Sequence, residues 1–179
     1  MRRFCSGACN GPEDFAYRTL WPAHDEGRHR VVRKSASTWL AVMPARAQVP
    51  QKFLARLRLV CLDLPETVEK AAWTGTRWTV GKKNFAHVLM IDQGWPPAYA
   101  RAAKTSGPAC VLTFRLTAPA SAAERFSRRP FFRPLWWPNI AGLILGSETD
   151  WDEVDELIVK SYRVLAGKKL AALVGDAAE

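Results

Sequence analysis

Short strand-like segments that follow one another between two helical segments limit most strongly how this chain can fold. The clearest strand covers residues 110–117, where apolar side chains alternate with Thr113, Arg115 and Thr117. A period of two is typical of a strand that buries one face. Four more runs have strand character, namely residues 76–80, 85–91, 131–137 and 140–145. Short consecutive strands of this kind favour an antiparallel sheet.

Helical periodicity precedes and follows these strands. Apolar residues recur at helical spacing over 51–62, after Pro50 and before Pro65. A second helix can start at Thr149 or Asp150, because either side chain can cap it. Its predicted buried stripe has one polar member and consists of Val154, Leu157, Ile158, Ser161 and Leu165. The sequence therefore predicts an α+β fold with an N-terminal helix, an antiparallel sheet of about five strands and a C-terminal helix or helices, with the helices on one face.

The first 49 residues lack any sustained period, and proline and glycine interrupt them repeatedly. At 179 residues, the chain has the length of one domain with an extension. We expect a poorly ordered extension at residues 1–49 and an α+β domain at residues 50–175. An alternative is that translation starts at Met43, which would leave 137 residues.

Four residues of this extension have a spacing found in zinc modules. Cys5 and Cys9 are followed by His24 and His29, and thiolates with imidazoles suit tetrahedral zinc. However, Pro22 and the nearby Gly27 would interrupt the helix that such histidines need. We therefore predict no metal site and interpret the spacing as coincidental.

Charge is distributed unevenly along the chain. Its 26 Lys and Arg residues against 17 Asp and Glu residues give a formal charge of +9. Residues 50–146 hold 14 basic and five acidic groups, whereas residues 147–179 hold four and eight. A basic folded region favours nucleic acid first and an anionic membrane surface second. The alternative is a charged surface that serves solubility alone.

Cations and aromatic residues occur together in this basic region. Lys82 and Lys83 lie at a predicted hairpin tip, which could act as a wing in a DNA groove. The arginines at 128–133 are interspersed with aromatic residues. These aromatic residues could contact bases, or they could pack in the core. Nothing in the sequence is typical of a base-reading recognition helix, so we expect backbone contacts and weak sequence preference. The predicted DNA-binding residues are Arg77, Lys82, Lys83, Arg115, Arg128, Arg129 and Arg133.

Enzymatic and metal-binding functions have weaker support. The patterned region contains one histidine, His87, within an apolar strand, and no phosphate-binding loop or nucleophile motif. Cys61 and Cys110 lie in apolar runs, which predicts buried, reduced thiols. Six acidic residues at 148–156 are expected to cap the last helix and to stabilise its dipole. We therefore expect neither catalysis nor a cofactor.

The expected location is the cytoplasm. No apolar core of an export signal follows the N-terminal arginines, and no apolar run is long enough for a membrane helix. Four cysteines in a chain of this length are too few for a disulfide scaffold. DNA is the expected partner, and no membrane is expected. A protein-interaction adaptor or a small-ligand-binding domain without DNA binding is the alternative.

Three stretches of the sequence together resemble the MmcQ/YjbR family, a group named as DNA-binding proteins. They are residues 62–66 with Glu69 and Trp73, residues 80–86, and residues 150–154 leading into 161–166. The resemblance spans about residues 52–172 and implies a CyaY-like fold and DNA binding through a double-wing shape. It implies no catalytic residues. The loop at residues 136–139 departs from the family pattern.

Overall fold

The computed structural model describes residues 47–119 and 123–174. The four Cys and His residues with zinc-like spacing and most of the predicted extension lie outside this part of the chain. None of the helices within the described residues is long and apolar enough to cross a membrane. The elements follow one another as α1 (Gln51–Cys61), β1 (Thr67–Ala71), β2 (Thr76–Val80), β3 (Lys83–Ile91), α2 (Pro97–Ala103), β4 (Ala109–Arg115), a 3-10 helix (Glu124–Ser127), β5 (Phe131–Phe132), β6 (Ile140–Leu145), α3 (Trp151–Leu165) and α4 (Lys168–Leu173).

The strands of the described residues form one antiparallel sheet in the order β1-β2-β3-β4-β6-β5. This confirms the predicted α+β class, with six strands instead of about five. The additional strand is β1, whose five residues include one large apolar side chain, Val68. Predicted strand 131–137 is limited to the two residues of β5.

The main core lies between the sheet and the helices α1 and α3. On β4, Cys110, Leu112 and Phe114 face this core, in agreement with the predicted alternation. The predicted stripe of α3 is also buried at four of its five positions. Tyr162 of α3 is also fully buried, and its hydroxyl donates to the carbonyl oxygen of Pro65 at 2.8 Å.

The second, smaller core lies on the opposite face of the sheet, beneath α2. The prediction that the helices lie on one face was therefore wrong for this helix, since Gly94, Pro96 and Pro97 indicate a loop in the sequence. Proline is acceptable in the first turn, where no intrahelical donor is needed, and Pro97 is the first residue of α2. The buried residues of this core are Leu89, Ile91, Ala100, Ala103, Val111 and Phe132.

A β-bulge in β3 brings two successive side chains to the main core. Trp78 pairs with Ala86 and Thr79 pairs with Asn84, so Phe85 is the extra residue. Phe85 and Ala86 are consequently both buried in the main core. The bulge explains how an apolar run without alternation fits into a strand.

Ser161 bridges β3 and β4 beyond the bulge. The pairing of these strands ends at Ala86 and Phe114. At the next position the Ser161 hydroxyl donates to the carbonyl oxygen of Phe85 at 2.5 Å and accepts from the backbone N–H of Arg115 at 2.7 Å. The polar residue of the α3 stripe therefore satisfies two backbone groups that the sheet leaves unpaired.

The turn between β1 and β2 lies against the backbone of β3. Gly75 adopts a φ of +72°, a conformation that costs residues with a Cβ atom about 1–2 kcal/mol. A Cβ atom at this position would overlap the carbonyl oxygen of Val88 and approach the Cα of Leu89 to 2.8 Å. Close approach of two backbones therefore requires glycine here.

Acidic residues at the start of α3 form contacts within the fold. The Asp150 carboxylate accepts from the backbone N–H groups of Asp152 and Glu153 at 3.0 and 3.2 Å, as expected for a capping residue. Asp155 forms an ion pair with Arg56 of α1 at 2.6 Å. These contacts agree with the predicted capping role of the acidic cluster.

The two terminal strands of the sheet differ in length and in their flanking residues. β5 contains only Phe131 and Phe132, between Pro130 and Pro134. β1 has five residues and pairs with β2 along its whole length. Its Val68 and Lys70 side chains are exposed.

Candidate nucleic-acid interface

The sheet face opposite α1 and α3, here named the open face, carries a polar row across the strands. Lys70 pairs with Arg77, Arg77 with His87, and His87 with Thr113. Facing residues of antiparallel strands project to the same side. This side points away from α1 and α3, because the residues on either side of Thr113 in β4 face those helices. Arg77, a predicted site residue, therefore lies on the open face, on the strand next to the β1 edge.

His87 is buried and structural in its contacts. Its Nε2 lies 2.7 Å from the carbonyl oxygen of Thr74, so this nitrogen is the donor. Its ring also lies 6.2 Å from that of Tyr99 in α2, at 81°. His87 is therefore a packed residue of β3, and its hydrogen bond holds the β1–β2 turn against the open face.

Aromatic side chains surround the polar row. Tyr99 contacts Trp136 with ring centroids 5.2 Å apart, and Trp73 contacts Trp95 at 5.0 Å. The sequence pattern did not identify Tyr99 as part of this surface, because α2 was interpreted as a loop. The contacts place rings from the β1–β2 turn, α2 and the β5–β6 loop around one sheet face.

Two predicted elements of the site meet at one end of the sheet. Gly81 and Lys82 form the two-residue connection between Val80 and Lys83, and both lysines are exposed. Arg115, at the end of β4, donates from Nε to the carbonyl oxygen of Asn84 at 3.4 Å. The hairpin tip and Arg115 are therefore neighbours.

Arg115 also contacts an aromatic ring. Its guanidinium carbon lies 4.8 Å from the ring centre of Trp137, within the range of a cation–π contact. This contact orients the guanidinium group next to the β5–β6 loop. The arginine and the loop thus form one surface.

The arginines at 128–133 are exposed but do not gather in one place. Arg128 forms an ion pair with Glu124, and Arg129 donates to the carbonyl oxygen of Lys104 at 3.4 Å. Lys104 precedes β4, whereas Arg115 ends it, and β4 spans about 20 Å at 3.3 Å per residue. Arg129 thus lies towards the other end of the sheet from the hairpin tip. Arg133 follows β5 directly.

The cations of α1 do not extend this surface. Arg58 pairs with Glu69 at 2.7 Å, and Glu69 also accepts from Trp78 Nε1 at 3.1 Å. The hydrogen bond from Arg58 lowers the pKa of Glu69. Burial raises the pKa of Asp155, although Arg56 acts in the opposite direction. Both arginines of α1 are engaged in contacts that hold the helix to the fold.

The cysteines of the domain are free and buried. Loss of hydration raises the pKa of Cys110 to about 12, and burial followed by the charges of Glu69 and Asp155 raises the pKa of Cys61 well above its usual value. Both thiols are therefore protonated and weakly nucleophilic near neutral pH. Within the described residues, no group of three or more His, Cys, Asp or Glu side chains could hold a metal ion.

This burial gives a direct prediction for thiol chemistry. A variant with Cys5 and Cys9 replaced by Ser should react only slowly with an aromatic disulfide reagent at pH 8, because Cys61 and Cys110 are shielded and protonated. In urea both thiols should react at once. Rapid modification of either thiol in the folded protein would contradict the predicted shielding and would support a nucleophilic role for that cysteine.

No curated protein and no solved structure matches the chain. The family model YjbR matches residues 62–164, more than half of the chain. The matched segment contains every strand of the described sheet and most of α3. The chain therefore belongs to the YjbR family.

Proposed function

We propose that this YjbR-family domain is a non-enzymatic DNA-binding module that holds the phosphate backbone with weak sequence preference. The observation that carries the proposal is the charge of the sheet region. Residues 67–145 include eleven basic and three acidic residues, and two of the acidic residues, Glu69 and Glu124, are ion-paired. Such a surface attracts a polyanion over distances of about one Debye length.

The hairpin tip is the most accessible part of this surface. Lys82 and Lys83 are exposed, and lysine ammonium groups at a projecting turn can approach phosphates without distortion of the duplex. Arg115 beside them presents a guanidinium group, which can contact phosphate through two parallel hydrogen bonds. Phosphate contacts position a protein on DNA but carry no sequence information.

The helices of the core contribute little to base recognition in this proposal. The arginines of α1 are ion-paired with Glu69 and Asp155, and α3 starts with acidic residues. An acidic helix start repels phosphate, so α3 would face away from bound DNA. This arrangement favours binding through the open face and the hairpin tip.

Salt dependence tests the proposal. With about five phosphate contacts, the logarithm of the affinity for a random duplex should fall with log salt at a slope of about −4.5. The Lys82→Ala/Lys83→Ala variant should reduce this slope to about −2.7, because two contacts are lost at about 0.9 each. Fluorescence anisotropy at several salt concentrations measures both slopes.

A matched control removes the same charge elsewhere. Lys168 and Lys169 are also an exposed pair, but they belong to α4, which packs against α3. Their replacement by Ala should leave the slope unchanged. Equal salt slopes for wild type and the hairpin variant would show that the hairpin tip does not contact DNA. Absence of binding at low salt would favour the adaptor or small-ligand function.

A further inference from the structure

Two tryptophans remain partly exposed at the open face, although the fold contains buried positions for large rings. Trp73 is 41% exposed and Trp136 is 43% exposed. A ring that keeps this much surface in water loses a large part of its hydrophobic stabilisation. Phosphate binding by lysines and arginines does not require such rings.

Both rings are held by other rings instead of being loose on the surface. Trp136 lies against Tyr99, at 74° and 5.2 Å, and Tyr99 lies against buried His87. Trp73 lies against Trp95 at 84°. Because His87 also bonds to Thr74, next to Trp73 in the chain, the two tryptophans are connected through one chain of contacts. Stacking on a ring that is already fixed costs little conformational entropy.

Cations accompany these rings on the same face. Arg77 pairs with His87 in the sheet register, and Lys70 pairs with Arg77. Arg115 lies over Trp137, the neighbour of Trp136. A surface that combines flat apolar rings with positive groups suits a chain that consists of bases and phosphates.

The strandedness of such a ligand follows from the accessibility of its bases. In a duplex both faces of each internal base are covered by its neighbours, so a base must be extruded before it can stack on a protein ring. In a single strand the faces are available, and stacking on aromatic side chains tolerates any base. A duplex would use the cations of the open face but not Trp73 and Trp136.

We infer that the open face binds single-stranded nucleic acid, with bases stacked on Trp136 and Trp73 and phosphates held by Lys70, Arg77 and Arg115. This inference rests on the proposed nucleic-acid function and specifies its ligand.

Binding of the full chain to oligothymidylate and to a duplex of equal length tests the inference. Wild type should prefer the single strand. Trp136→Ala should weaken single-strand binding about fivefold to 150-fold, the effect of one stacked base, and should change duplex binding little. Trp136→Phe should restore most of the affinity, because phenylalanine keeps a stacking face. Trp73→Ala should act in the same direction.

Two controls separate stacking from general surface effects. Leu135→Ala removes a neighbouring apolar side chain that is 94% exposed and should leave single-strand binding unchanged. An abasic oligonucleotide keeps its phosphates but offers no base, so wild type should bind it about as weakly as the variant with both tryptophans replaced binds oligothymidylate. Thermal unfolding of each variant confirms that the fold is retained.

The outcomes distinguish this inference from the proposal on which it rests. Equal or tighter duplex binding, with no effect of either tryptophan, would overturn single-strand stacking and leave DNA binding intact. Absence of binding to both oligonucleotides would overturn both ideas. Binding to vesicles of anionic phospholipid that depends on Trp136, without oligonucleotide binding, would also overturn both and identify a membrane surface as the ligand.

Discussion

The Ser161→Ala variant should be about 2–6 kcal/mol less stable to unfolding than the wild-type protein. In the wild-type protein, the Ser161 hydroxyl is fully buried. It donates to the carbonyl oxygen of Phe85 and accepts from the N–H of Arg115. Each buried backbone group that loses its partner costs about 1–3 kcal/mol. Urea unfolding followed by circular dichroism measures the change.

A control and a second observable make this result specific. Ser127→Ala, at an exposed position of the 3-10 helix, should change stability by less than about 0.5 kcal/mol. Amide hydrogen exchange of Arg115 should accelerate in the Ser161 variant more than exchange in the centre of β4. Unchanged stability together with unchanged exchange at Arg115 would show that the bridge is not important for the fold.

The Gly75→Ala variant should be destabilised by about 2–5 kcal/mol. The positive φ contributes about 1–2 kcal/mol, and the overlap of the new Cβ atom with the Val88 carbonyl adds about 1–3 kcal/mol because the obstacle is backbone. Gly81→Ala is the matched control. Gly81 has a φ of +58° but no atom within 4 Å of the position of a Cβ atom.

Comparison of the two glycine variants isolates the steric contribution. Both alanine variants carry the conformational cost of a positive φ, so the Gly81 variant should be destabilised by only about 1–2 kcal/mol. Any further destabilisation of the Gly75 variant measures the steric overlap between the β1–β2 turn and β3. Chemical denaturation gives both values. Equal losses would mean that the turn moves away from β3 without penalty.

The regular parts of the fold could be predicted because their patterns are local. The alternation on β4 follows from one buried and one polar-lined face, and the start of α3 follows from an Asp150 side chain that caps two N–H groups. Ser161 was recognised as a polar member of an apolar stripe. The hydrogen bonds of Ser161 could not be predicted, since they depend on where the pairing of β3 with β4 ends. Both strands are distant from Ser161 in the sequence.

β1 and α2 were not predicted from the sequence, and each omission has a physical reason. β1 is an edge strand with one large apolar residue, so its sequence carries little alternation. The helix α2 starts with prolines, which are more often associated with loops. Because these two elements supply Lys70 and Tyr99, part of the open-face surface could not be predicted either.

The positions of the predicted site residues in the fold were anticipated unevenly for the same reason. Lys82 and Lys83 were placed correctly at a hairpin tip by a local turn signal. By contrast, sequence proximity suggested that Arg128, Arg129 and Arg133 form one group, whereas Arg128 pairs with Glu124 and Arg129 contacts Lys104. The side chains of these neighbours have different partners, and the sequence does not indicate which partner each arginine contacts.

The unequal edges of the sheet have a consequence for self-association. The outward N–H of Phe131 already donates to the Arg128 carbonyl oxygen at 2.9 Å, and β5 has only two residues, so that edge offers no run of free donors to a further strand. Among the described strands, only β1 then offers an edge for intermolecular pairing. Two copies joined through β1 would form a closed, two-fold dimer with a continuous twelve-stranded sheet, since the six strands of each copy would end at a blocked β5. A sheet with one blocked edge cannot propagate into a fibril by edge addition.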